Sequence, residues 1–162
     1  MKNTQINTLA EILLAKQFKF ASAESCTGGL IAKQCTDLAG SSAWFDRAFI
    51  TYSNAAKVEM LGVAPQLIEK HGAVSQQVVD SMAKGAIKNS LAQTAIAVSG
   101  VAGPTGGSKE KPVGTVWIGV NVNNKVLTQC CLFEGNRAQI REQSAEFSVN
   151  WLIEILSLNE CK

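Results

Sequence analysis

The sequence predicts an α/β fold: a single-domain, three-layer α/β/α sandwich around a mixed β-sheet, spanning residues 1–162. Three observations carry this expectation. Helix-period and strand-like segments alternate along the 162 residues without repeat or linker. Asn123–Asn124 offers a tight turn between two strand patterns, so one antiparallel pair joins the strands that the helix–strand alternation supplies. The composition, 46% apolar and 17% charged, is that of a globular domain able to bury a core without metal or disulfide.

Ile6, Leu9, Ile12 and Leu13 recur at helical spacing between Thr4 and Gln17, and Phe18–Ser22 reads as the first strand. After Glu24–Gly29, the residues Leu30, Ile31, Cys35 and Leu38 return to helical period, with Gly40 as a left-handed C-cap. Ser25 therefore falls in a strand-to-helix turn. Trp44–Ser53 reads as a strand closed by Tyr52, and Asn54 as the N-cap of a helix that carries Lys57, runs to Leu61 and ends at Gly62. Pro65 suits the first position of another helical turn. Ser75 caps a longer helix to about Leu91, with Val78, Val79, Met82, Ala83 and Ile87 on its apolar face. Thr94–Ser99 is a further strand. Gly100–Pro112, with four glycines and two prolines, is too irregular for a regular element and leads to the strand Val113–Val122. Val126–Phe133 returns antiparallel, and a final helix runs from Arg137 to Leu158.

Several function classes are disfavoured by composition. The net charge is only +2 and the charges are interspersed, so the basic stripe of a nucleic-acid binder is missing. No segment approaches the roughly 20 apolar residues of a membrane span. Met1–Lys16 lacks the charged start, apolar run and cleavage site of a signal peptide, which makes the cytoplasm the expected location. The five cysteines include no CxxC pair, so buried free thiols are expected for most of them, with Cys130 and Cys131 on opposite faces of a strand. One histidine and no clustered ligands make a metal site unexpected.

The first chemical candidate is Ala23-Glu24-Ser25-Cys26-Thr27-Gly28-Gly29. Its glycines let the backbone approach a ligand, and a helix start presents free N–H groups. Amides of Thr27, Gly28 and Gly29 would suit an oxyanion hole, worth about 3–4 kcal/mol per well-placed donor. Ser25, Cys26 and Thr27 compete as nucleophile, and the same residues would serve equally as a capping sequence. The only histidine, His71, is explained by a helix C-terminus, which leaves a lysine of lowered pKa as the alternative base. Lys57 is the best-placed lysine, and Tyr52 would face the same cleft; a solvated lysine and a sheet-edge tyrosine are the plain alternatives. The loop from Ser99 to Ser108 fails the Walker pattern, yet its amides would hold a single phosphate or ribose, or simply form a surface turn. Arg137 and Arg141, four apart on the last helix, would grip a phosphate or form a solvated face.

These pieces occur in an order that resembles the CinA C-terminal family. The residues that carry the resemblance are Ala23–Gly29, Gly40-Ser41-Ser42-Ala43-Trp44-Phe45, and Thr51-Tyr52-Ser53-Asn54 with Lys57. Further on come His71-Gly72-Ala73-Val74-Ser75, Ser99-Gly100-Val101-Ala102-Gly103-Pro104 and Lys111-Pro112-Val113-Gly114-Thr115-Val116. Stand-alone members of that family look like amidases that convert nicotinamide mononucleotide and water to nicotinate mononucleotide and ammonia, without cofactor or metal, in pyridine-nucleotide recycling. The resemblance implies Ser25 as nucleophile, Lys57 as general base and Tyr52 as a partner that relays or positions the proton. It implies Ser42, Ser99, Gly100 and Gly103 in the substrate pocket and Arg137 or Arg141 on the phosphate. It covers nearly the whole chain, so the pyrophosphatase domain of larger members is not expected here.

A non-catalytic nucleotide-binding or regulatory module on the same fold is the competing expectation, because a scaffold does not fix turnover. Apolar residues in the Trp151–Leu158 end of the last helix suggest a homodimer face.

Overall fold

A computed structural model of the chain describes residues 3–158. Its five-stranded sheet is built from β1 (Phe20–Glu24), β2 (Phe45–Ile50), β3 (Thr94–Gly100), β4 (Thr115–Val122) and β5 (Lys125–Leu132), in the order β2-β1-β3-β4-β5. β2, β1 and β3 run parallel, and β4 is antiparallel to both of its neighbours, β3 and β5, so the sheet is mixed as expected. Helices α1 (Asn3–Lys16), α2 (Leu30–Thr36) and α6 (Arg137–Leu158) cover one face; α3 (Asn54–Leu61), α4 (Pro65–His71) and α5 (Gln76–Lys88) cover the other.

Strand alternation sorts side chains into two cores. Phe20, Ile96, Val98, Ile118 and Val120 meet Leu9, Leu13, Ile31 and Leu152 on one face. On the other, Ala21, Ala23, Ala95 and Ala97 present a surface of methyl groups to Val78, Val79 and Met82 of α5. Small residues let α5 lie close: a Cβ at Gly119 would stand 2.9 Å from the Val79 carbonyl oxygen. β1 and β3 are buried on both faces, whereas β5, at the edge, alternates between exposed and half-buried.

Differences from the sequence reading lie at element ends. The first strand starts at Phe20 because Phe18 belongs to the end of α1, where the Phe18 N–H donates to Leu13 O (2.9 Å) and the Gln17 N–H to Leu14 O (3.1 Å). Gln17 takes the left-handed position of this closing motif, with φ of 56°, where glycine is usual. Ser53, one residue before the expected Asn54, caps α3 by accepting the Ala56 N–H at 3.0 Å. Ser75 caps α5 through the Val78 N–H as anticipated. Asn123 and Asn124 both have positive φ, 50° and 67°, as a two-residue hairpin turn between β4 and β5 demands.

Two expectations about surfaces are corrected. The Trp151–Leu158 end of α6 is not a free apolar face: Leu152 and Leu156 are buried in the core of their own chain, half-buried Trp151, Ile153 and Ile155 pack against it, and only Leu158 is strongly exposed. Of the described cysteines, Cys26 and Cys35 are buried free thiols, but Cys130 is exposed and Cys131 half-buried, both on edge strand β5. Cys161 lies outside the described residues. Among the described residues no helix is long and apolar enough to cross a membrane.

Candidate active site

Parallel strands end on the same side, and the loops after β1, β2 and β3 converge there. Ser25 follows β1 directly; its N–H donates to Val98 O of β3 (3.0 Å), while the Thr51 N–H donates to Glu24 O (2.9 Å). These bonds fix the Ser25 turn between its neighbouring strands. The cavity there, of about 270 Å³, is lined by Ser25, Cys26, Tyr52, Asn54, Lys57, Ala73, Val74, Ser99, Gly100, Ala102 and Arg137.

Lys57 projects from α3 beneath this turn and is 1% exposed. Its Nζ donates to Ser25 Oγ at 3.0 Å, to Thr51 O at 2.9 Å and to Tyr52 O at 3.4 Å. Among the described residues no carboxylate lies within ion-pair distance of it. Burial holds its pKa below the ordinary lysine range, because an ammonium there gives up water for two carbonyls and a hydroxyl. The other nucleophile candidates make no hydrogen bond to this lysine. Burial pushes the Cys26 thiol up to about 11, and the Thr27 hydroxyl donates to Glu24 Oε2 at 2.8 Å.

Glu24, fully buried at the end of β1, is an organising residue that the sequence reading did not single out. Its Oε1 accepts from Ser22 Oγ (2.9 Å) and the Ala32 N–H (2.9 Å); its Oε2 accepts from Thr27 Oγ1, the Gly29 N–H (3.0 Å) and the Ile31 N–H (3.1 Å). The carboxylate thereby ties β1, the turn and the first turn of α2 into one unit. An acid at the end of a short strand of small and apolar residues, just before a glycine-rich helix start, was the available signal. Glu24→Ala should destabilise the protein by about 3 kcal/mol or more, since it strands several buried donors; chemical denaturation checks this, and unchanged stability would remove the role.

This network corrects the expected oxyanion hole. The Gly28 N–H donates to Ser25 O (3.1 Å) and the Gly29 N–H to Glu24, so neither amide is available. The Cys26 and Thr27 amides donate to no other described residue. Tyr52 is also misplaced as a proton relay. Its ring is exposed, and its phenol oxygen accepts from Arg137 Nη2 at 3.0 Å; only its carbonyl meets Lys57.

The two arginines separate. Arg137 lines the cavity and donates through Nη1 to Gly103 O at 2.7 Å. Arg141 instead donates from Nε to Cys26 O (3.0 Å) and from Nη2 to Thr27 O (2.9 Å), which corrects its expected place on a phosphate. Ser99 and Gly100 line the cavity, the Ser99 hydroxyl donating to Ala73 O at 2.9 Å. Ser42 does not. It is exposed in the 3-10 turn Ser41–Ala43 before β2, at the opposite end of the parallel strands from Ser25, roughly 16 Å away along a five-residue strand. Asn54, Ala73, Val74 and Ala102 join the cavity through tertiary folding alone.

Among the described residues no group of three or more His, Cys, Asp or Glu side chains is arranged to hold a metal ion. The family profile described as "CinA C-terminal domain" matches residues 2–156. The chain belongs to this family. The matched span contains every element of the cavity, from Ser25 to Arg137. This CinA C-terminal domain is 57% identical, over 138 residues, to the nicotinamide-nucleotide amidohydrolase PncC of Enterobacter agglomerans, covering 85% of this chain and 84% of that one. It is 47% identical over 145 residues to the protein of the same description from Escherichia coli strain K12, covering 89% and 88%. Among solved structures, a CinA superfamily protein from Klebsiella pneumoniae superimposes with a TM-score of 0.92 at 34% identity, covering 96% of this chain and 97% of that one.

Proposed function

We propose that this chain hydrolyses the carboxamide of nicotinamide mononucleotide to nicotinate mononucleotide and ammonia, with Ser25 as nucleophile and Lys57 as general base, in pyridine-nucleotide recycling. The observation that carries the reading is the 3.0 Å contact between Lys57 Nζ and Ser25 Oγ at a buried lysine that has no carboxylate partner among the described residues. A neutral amine has two N–H donors and one lone pair. With the carbonyls of Thr51 and Tyr52 accepting the two N–H groups, the lone pair is left for the Ser25 hydroxyl. The substrate named for the relatives, and the chain-length match to them, support the choice of amide.

The chemistry then runs as two acyl transfers. Lys57 takes the Ser25 proton as Oγ attacks the carboxamide carbon, and the carbonyl oxygen becomes an oxyanion facing the free amides of the turn. The protonated lysine gives its proton to the departing nitrogen, which leaves as ammonia. Lys57 next takes a proton from water as the water oxygen attacks the nicotinoyl ester; Oγ leaves and is reprotonated by the lysine. Atoms balance, and Lys57 is returned neutral.

Arg137, on the rim, neutralises the phosphate by exchanging its bonds to Gly103 O and the Tyr52 phenol for phosphate oxygens. Tyr52 in this scheme helps to hold Arg137 rather than to move a proton. The direct test is ammonia release from nicotinamide mononucleotide by the purified chain without added metal. Turnover is expected; its absence moves the function to a non-catalytic binding module.

A further inference from the structure

We propose that Arg141 is a positioning residue for the acyl-transfer step, one that holds the nucleophile turn by its carbonyls and so sets the direction of the Thr27 amide toward the oxyanion. The inference rests on the amidase reading above and deepens it at the same site.

The polarity of the turn is divided between two side chains. The Thr27 hydroxyl and the Gly29 N–H donate to the Glu24 carboxylate, while the Cys26 and Thr27 carbonyls accept from the Arg141 guanidinium. The Cys26 carbonyl and the Thr27 N–H belong to one trans peptide unit and point in opposite directions. Anchoring that carbonyl on Arg141 Nε therefore directs the Thr27 N–H to the side away from the arginine. The Ser25, Gly28 and Gly29 N–H groups are already engaged, so the amides of Cys26 and Thr27 are those the turn has left for a developing negative oxygen.

Arg141 is suited to this geometric task. Among the described residues it has no carboxylate within ion-pair distance, and its acceptors are main-chain oxygens of adjacent residues. A planar fork reaches two neighbouring carbonyls at once, which a lysine ammonium at the end of a flexible stem does not. Gly28, in the left-handed region with φ of 59°, shapes the turn that presents these carbonyls to the guanidinium. One helical turn earlier, Arg137 lines the cavity, so the two arginines serve different parts of the reaction.

The test compares native protein, Arg141→Lys and Arg141→Ala in steady-state hydrolysis of nicotinamide mononucleotide, with inhibition by nicotinate mononucleotide and thermal unfolding measured alongside. Positioning predicts that kcat falls about 10²-fold in Arg141→Lys, although the charge is kept, while KM and the product inhibition constant stay at their native values. It also predicts that added guanidinium ion restores part of the kcat of Arg141→Ala, a rescue that remains readable if that variant is less stable. Native kcat in Arg141→Lys, or a loss confined to KM and product inhibition, overturns the proposal and returns Arg141 to phosphate binding. Failure of the native protein to release ammonia would instead sink the amidase reading itself.

Discussion

Ser25→Ala is expected to abolish ammonia release from nicotinamide mononucleotide, lowering kcat by about 10⁴-fold or more, as for other hydrolases that lose the attacking oxygen. The neighbouring groups do not substitute for it. Cys26 holds its proton to about pH 11, and the Thr27 hydroxyl is committed to Glu24. The fold should survive, because Ser25 Oγ makes its hydrogen bond to Lys57 and to no other described residue, a loss of about 1 kcal/mol. Steady-state kinetics with a denaturation curve on the same preparation separates the effects. Undiminished turnover in the variant would sink the serine mechanism.

Lys57→Met should lower kcat by about 10²–10⁴-fold, the range of a general base, and should also erase a feature of the pH profile. Burial favours the neutral amine in the folded chain, so the native rate should rise with pH through a lysine pKa held below the ordinary 10.4 and level off above it. In the methionine variant that ascending limb disappears. The same shift has a stability consequence. Between the lowered folded pKa and about 10.4 the unfolded chain carries a proton that the folded one does not, so stability rises with pH across that window. Lys57→Met, nearly equal in volume, removes that dependence, as denaturation midpoints at several pH values would show. A native profile without the limb, or a variant that keeps it, would assign the base elsewhere.

Much of this architecture was legible because it is local. Caps such as Ser75, the Asn123–Asn124 turn and the helical period of α1 and α5 depend on neighbours within a few residues, and they fell close to their predicted positions, although α5 ends at Lys88, three residues before the expected Leu91. Where a local rule was broken the reading slipped. Gln17 in the left-handed position ended α1 without a glycine, and Ser53 capped α3 in place of Asn54.

The site divides in the same way. That Ser25 lies in a strand-to-helix turn and Lys57 on the helix after the next strand follows from pattern alone, as does the mixed character of the sheet. Only the tertiary structure decided that β2, β1 and β3 lie side by side, so that Lys57 Nζ meets Ser25 Oγ across 32 positions of sequence. It also decided that Glu24 takes the Gly29 amide assigned to an oxyanion, that Ser42 stands at the far end of the sheet, and that Arg137 and Arg141 part company. Hydrogen-bond partners are chosen by geometry between distant elements, and a shift of one helical turn, about 5.4 Å, carries one arginine into the cavity and the other onto the carbonyls behind it. Periodicity tells which face of an element is apolar; which polar atoms meet across the gap is settled when those faces pack.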